Sequence, residues 1–138
     1  MPPAERSLIC ILHSGDYERV RFTLAAAAAA AAADRDVTLF FTMDACVALQ
    51  RDSGWHGLQS ADGSALDADT ALRERGVAGF EELLGACREL GVRLIVCEMG
   101  LRARGLSPEQ LVSRSGIEVG GLFSLLSGDG AGAQLMFT

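Results

Sequence analysis

The chain has 138 residues, 49% of them hydrophobic, and a formal net charge of -6. That length suits one domain with a full core, and the acidic balance speaks against a nucleic-acid partner, which needs a clustered basic face. All 12 basic residues are arginine, so Schiff-base chemistry, a phosphate-loop lysine and a lysine general base are excluded.

Met1 to Arg6 lack the basic and apolar regions of a secretory signal. The Ala25–Ala33 run lies between Arg21 and Asp34, far short of the roughly 20 apolar residues that a span needs. The expectation is a cytoplasmic protein with no integral membrane segment, in which Cys10, Cys46, Cys87 and Cys97 stay reduced. No Cys-x-x-Cys pair occurs and only two histidines are present, so neither a metal site nor a cofactor is expected.

Ser7 to Leu12 is a short apolar run with strand character, stopped by His13-Ser14-Gly15-Asp16. Asp16 is placed to cap a helix that runs through Phe22 and Leu24 into nine alanines, the best helix formers. Val37 to Thr42 reads as the second strand, followed by a shorter helix from about Asp44 to Gln50. From Arg51 to Gly76 the composition turns to Gly, Ser and Asp, which predicts a flexible insertion or flap within a single domain spanning 1–138. Trp55-His56 reads there as an exposed turn.

Ala78 to Leu90 has helical spacing at Phe80, Leu83, Leu84, Cys87 and Leu90, with Gly91 as its stop. Arg93 to Cys97 is the third strand, and Gly100, Arg102, Arg104 and Gly105 read as the loop after it. Ser107-Pro108-Glu109-Gln110 is a helix start with a capping box, for a helix ending near Ser115-Gly116. Ile117-Glu118-Val119 makes a fourth strand, Gly120-Gly121 opens a helix through Leu126, and Gln134 to Thr138 closes the chain as a fifth strand. Apolar strands alternating with helices predict an α/β fold with a parallel sheet covered on both faces.

In such a sheet, ligands gather beyond the carboxyl ends of the strands, where Cys97 falls. Arg102 and Arg104 follow it and would stabilise a thiolate or hold an anionic substrate. Cys46 would share that edge as a second thiol, against the plainer reading of a core residue beside Val47 and Leu49. His13 ends the first strand and is the candidate base. Gly15, Gly120 and Gly121 precede helices, where free amides accept anions. Cys10 and Cys87 read as core.

Ser14-Gly15-Asp16, the Val37–Thr42 strand, Cys97-Glu98-Met99, Gly105 and Ile117-Glu118-Val119-Gly120-Gly121, in that order, resemble the DsrE/DsrF-like sulfur-relay proteins. The similarity is nearest to the branch whose cysteine opens a Cys-x-Met-Ser-Met segment, although Gly100 to Arg104 depart from it. The resemblance implies a three-layer α/β/α fold with a five-stranded parallel sheet, assembled as a trimer or hexamer. It also implies sulfur carried as a persulfide between donor and acceptor proteins, with Cys97 alone at the reactive position.

The leading expectation is therefore a sulfur carrier or sulfurtransferase-like protein. Cys97 holds the sulfur, Arg102 and Arg104 attract the donor, and His13 takes the proton. The alternative is a non-catalytic oligomeric α/β binding module in which Cys97 is structural. A nucleotide-binding regulatory domain is a weaker third reading, since neither a G-x-G-x-x-G nor a Walker loop occurs.

Overall fold

The computed structural model describes residues 7–111, 116–128 and 130–138. Five strands, β1 (Ser7–Leu12), β2 (Asp36–Phe41), β3 (Arg93–Cys97), β4 (Ile117–Gly120) and β5 (Gln134–Phe137), form one sheet in the order β4-β3-β2-β1-β5. Every pairing is parallel. The helices are α1 (Tyr17–Ala32), α2 (Ala65–Glu74), α3 (Phe80–Glu89), α4 (Glu98–Arg104) and α5 (Leu122–Ser127). None of them is long and apolar enough to cross a membrane.

The strand order decides which face each helix covers. From β1 to β4 the chain steps sideways in one direction, and right-handed crossovers then leave the described helices of these connections on one side of the sheet. That side holds the main core: Leu8, Cys10 and Leu12 of β1, Leu39 and Phe41 of β2, and Val96 of β3 pack with residues of α1, α3 and α4. The return from β4 to β5 runs back across the sheet and puts α5 on the opposite face. There, among the described residues, the buried cluster is Ile9, Ile11, Phe40, Ile95, Cys97 and Leu125. The outcome is a three-layer α/β/α arrangement with one thick and one thin helical layer.

Local chemistry sets the elements as expected in several places. Asp16 caps α1, accepting from the Arg19 amide at 3.1 Å. The alanine stretch lets α3 approach so closely that the Cys87 thiol donates to the Leu24 carbonyl of α1 at 3.3 Å. The Ser107–Gln110 capping box forms, on a 3₁₀ turn at Pro108–Gln110. The rest of the helix expected there, 112–115, lies outside the described residues, as does the amino terminus through Arg6.

The 51–76 segment differs from the expected flexible insertion or flap. It carries a 3₁₀ turn at Gly54–Gly57 and then α2, both tied to the core. Trp55 is buried rather than exposed, because its ring stacks on Phe80 with centroids 5.0 Å apart and its Nε1 donates to Glu81 at 2.8 Å. Asp69 of α2, 2% exposed, accepts from the Tyr17 hydroxyl at 2.5 Å, the Phe80 amide at 2.7 Å and Arg73 Nε at 3.0 Å. A buried carboxylate is tolerated only with such partners, and these three link α1, α2 and α3.

Candidate functional site

Cys97 is the last residue of β3 and also the N-cap of α4, with φ -76° and ψ 125°. The expected loop after it is a seven-residue helix instead, closed by Gly105 in the left-handed conformation at φ 66°. The Cys97 side chain points to the thin layer and is 1% exposed. In the sheet it stands opposite Gly120, and Gly121 follows as the N-cap of α5. These three candidate positions are therefore brought together. A side chain added at Gly121 would meet nothing within 4 Å.

Other candidates are set apart. β2 lies between β1 and β3, so the backbone at His13 is two strand spacings, about 9–10 Å, from β3. His13 is exposed, and its amide donates to Thr138 at 2.9 Å. Arg102 sits at the far end of α4, paired with Glu98 at 2.8 Å. Arg104 pairs with Asp44 at 3.2 Å. Both guanidiniums are thus matched by carboxylates on the outer surface. Gly15 packs on the same aspartate: a Cβ there would come within 2.9 Å of Asp44 Cβ.

Cys46 lies on a 3₁₀ helix, Met43–Leu49, at the place of the short helix expected from about Asp44 to Gln50. It is fully buried, and its Sγ stands 3.7 Å from the Phe41 carbonyl, to which the thiol donates. Burial first, and then the neighbouring Cys97, push its pKa up to about 12, with Arg104 partly opposing. A thiol held neutral in this way is a poor nucleophile at physiological pH. Cys10 and Cys87 are core residues, each pushed up to about 11 by burial.

Two features of the site were not recognised from sequence. Gly100 is inside α4, pressed against the β2 side of the edge: an added Cβ would lie 2.5 Å from the Met43 backbone nitrogen and 3.0 Å from both Cys46 Sγ and Thr42 Oγ1. Met43 itself has φ 50°, an uncommon conformation for a non-glycine residue. The second is the burial of Cys97 in the thin-layer cluster, whose members among the described residues include Leu125 of α5. A glycine amid helix formers was the only available hint of the first.

No curated protein matches the chain. A family model described as DsrE/DsrF-like matches residues 7–127. The chain belongs to the DsrE/DsrF-like family. Membership suggests a role related to sulfur relay. Among solved structures, this DsrE/DsrF-like chain is similar to the protein of unknown function MTH1491 from Methanobacterium thermoautotrophicum. The two are 17% identical over 96% of this chain and 98% of that one, with a TM-score of 0.64, a likeness of fold. In this DsrE/DsrF-like fold, no three His, Cys, Asp or Glu side chains among the described residues cluster as metal ligands.

Proposed function

We propose that the protein carries sulfane sulfur as a persulfide on Cys97. The observation that supports this most is the place of Cys97 in a DsrE/DsrF-like chain: the junction of β3 and α4, at the carboxyl edge of a parallel sheet. Cys10, Cys46 and Cys87 are fully buried, their ionisation suppressed. In the transfer, the Cys97 thiolate attacks the sulfane sulfur of a donor persulfide, and the donor thiolate leaves. An acceptor thiolate then attacks the terminal sulfur and Cys97 departs as thiolate, so no external oxidant is needed.

Arg102 and Arg104 serve this reading as exposed charges on α4 that meet an anionic donor. His13 is not assigned the proton, given its distance along the sheet. Gly121 leaves open space next to Gly120, the residue opposite Cys97 in the sheet, while Gly15 belongs to the Asp44 contact. The reading includes a homo-oligomer, in which a second copy covers the apolar side chains exposed on α5 and β5. It also includes a reducing compartment such as the cytoplasm, consistent with four unpaired thiols.

Incubation with a persulfide donor is expected to add the mass of one sulfur atom at Cys97, and nothing in Cys97→Ser. An inert Cys97 in a folded protein overturns the reading. That result would favour the second one, a binding module with a structural Cys97, for which the 1% exposure of this residue speaks.

A further inference from the structure

The sheet ends in two unlike edges. β4 carries the charged Glu118, paired with Arg93, and charge on an edge strand discourages further pairing. β5, at the other end, pairs only with β1 among the described residues and has no charge from Gln134 to Thr138. Thr138 turns both backbone groups toward β1: its amide donates to Ile11 at 3.0 Å, and its carbonyl accepts from His13 at 2.9 Å. Backbone groups alternate sides along a strand, so Met136 also faces β1, while Leu135 and Phe137 present N–H and C=O outward. Their side chains stand on the thin face with their partners Ile9 and Ile11, and both are exposed. On the α1 side, a groove of about 720 Å³ opens beside the end of β5, with Phe22 and Phe137 in its lining.

We propose that a second copy of the chain docks at this edge, its β5 pairing antiparallel with β5 of the first about a twofold axis. In one register the strand matches itself. Leu135 of each copy opposes Phe137 of the other, and each such pair exchanges both of its backbone hydrogen bonds. The two exposed side chains then meet as cross-strand apolar pairs on the thin face. Met136 falls on the axis, opposite its own counterpart.

Charge favours a second copy as the strand that fits. A chain of net charge -6 repels itself over much of its surface, but β5 brings no charge of its own to the seam. Antiparallel pairing also sets the start of one strand, where Arg35 holds Gln134 at 2.5 Å, against the end of the other. Asp16, Glu18, Arg19 and Arg21 line the groove at that end, a balanced set that gives Arg35 carboxylates to face. The contact rests on the homo-oligomer reading and gives it a named strand, leaving the α5 face to a further copy.

Met136→Cys tests the register, because opposed residues that share no hydrogen bond bring their Cα atoms to about 4.5 Å, within disulfide reach. Under mild oxidation of the folded full chain, this variant is expected to give a cross-linked pair that peptide mapping assigns to a 136–136 disulfide. Leu135→Cys places its two copies about 9 Å apart, beyond that reach, and should cross-link about tenfold more slowly or less. Phe137→Pro removes an outward N–H and no bond to β1. It should halve the light-scattering mass and leave circular dichroism unchanged. A wild-type chain that associates, while position 136 cross-links no faster than position 135, overturns the edge pairing and leaves the homo-oligomer standing. A wild-type chain that stays at 14.5 kDa overturns both. Sulfur uptake at Cys97, measured separately, decides the carrier reading in either case.

Discussion

Gly100 and Cys46 meet across the carboxyl edge of the sheet: a Cβ on Gly100 would stand 3.0 Å from the Cys46 sulfur. The same Cβ would reach the Met43 backbone at 2.5 Å, a contact that no side-chain rotation relieves. Glycine inside a helix is unfavourable by about 1 kcal/mol relative to alanine, and Met43 adopts a left-handed backbone at the same contact. Both features serve the close approach of α4 to the turn after β2, which fixes where Cys97 begins α4.

Gly85 of α3 is the control for that claim, since a Cβ there meets nothing within 4 Å. Gly85→Ala is expected to stabilise the fold by up to about 1 kcal/mol. Gly100→Ala is expected to destabilise it by about 1–3 kcal/mol through overpacking against backbone. Urea unfolding followed by Trp55 fluorescence checks both. Equal and favourable effects of the two substitutions would show that the α4 contact imposes no requirement for glycine.

Much of this architecture is legible in the chain because its strands are short apolar runs, and Asp16 and Ser107 mark helix starts. α4 is not legible for a physical reason. Its buried residues are only Gly100 and Leu101, so the segment has no apolar stripe and its glycine and arginines resemble a loop. α2 hides in the same way, since it buries just Ala65 and Asp69. Trp55 is buried by Phe80, a partner 25 residues on that local pattern cannot supply. The edge position of Cys97 follows from the end of its strand. Its separation from His13 and its place in the thin-layer cluster follow from strand order, which depends on tertiary pairing.

Stability should fall in alkali through the buried thiols. Folding raises Cys10 and Cys87 to about 11 and Cys46 to about 12, from an ordinary value of 9.0. Between those values the unfolded chain has released protons that the native chain still holds, so stability declines as pH rises. It is fully present below about pH 9, the ordinary thiol range, and is lost on approach to the folded-state values. Tyr17, pushed upward by burial and by Asp69, adds a loss at still higher pH. The urea midpoint is expected to be flat from about pH 7 to 8 and to drop above about pH 9. Cys10→Ala should show a shallower slope, whatever its baseline. A midpoint independent of pH through about pH 10.5 would contradict buried, neutral thiols.

The apolar surface of the thin layer makes a separate demand. Phe123 of α5 is 83% exposed and Phe137 of β5 is 68% exposed, with Leu122, Leu126 and Leu135 also open to solvent. Parallel sheets are ordinarily covered on both faces, and an exposed cluster of this kind marks an association surface. A copy of the chain seated there is expected to give a mass in solution that is a multiple of 14.5 kDa. Phe123→Glu should shift light-scattering mass toward the single chain with unchanged circular dichroism, because Phe123 contributes nothing to the buried clusters within one chain. A wild-type chain that runs at 14.5 kDa across concentrations would remove self-association from the account.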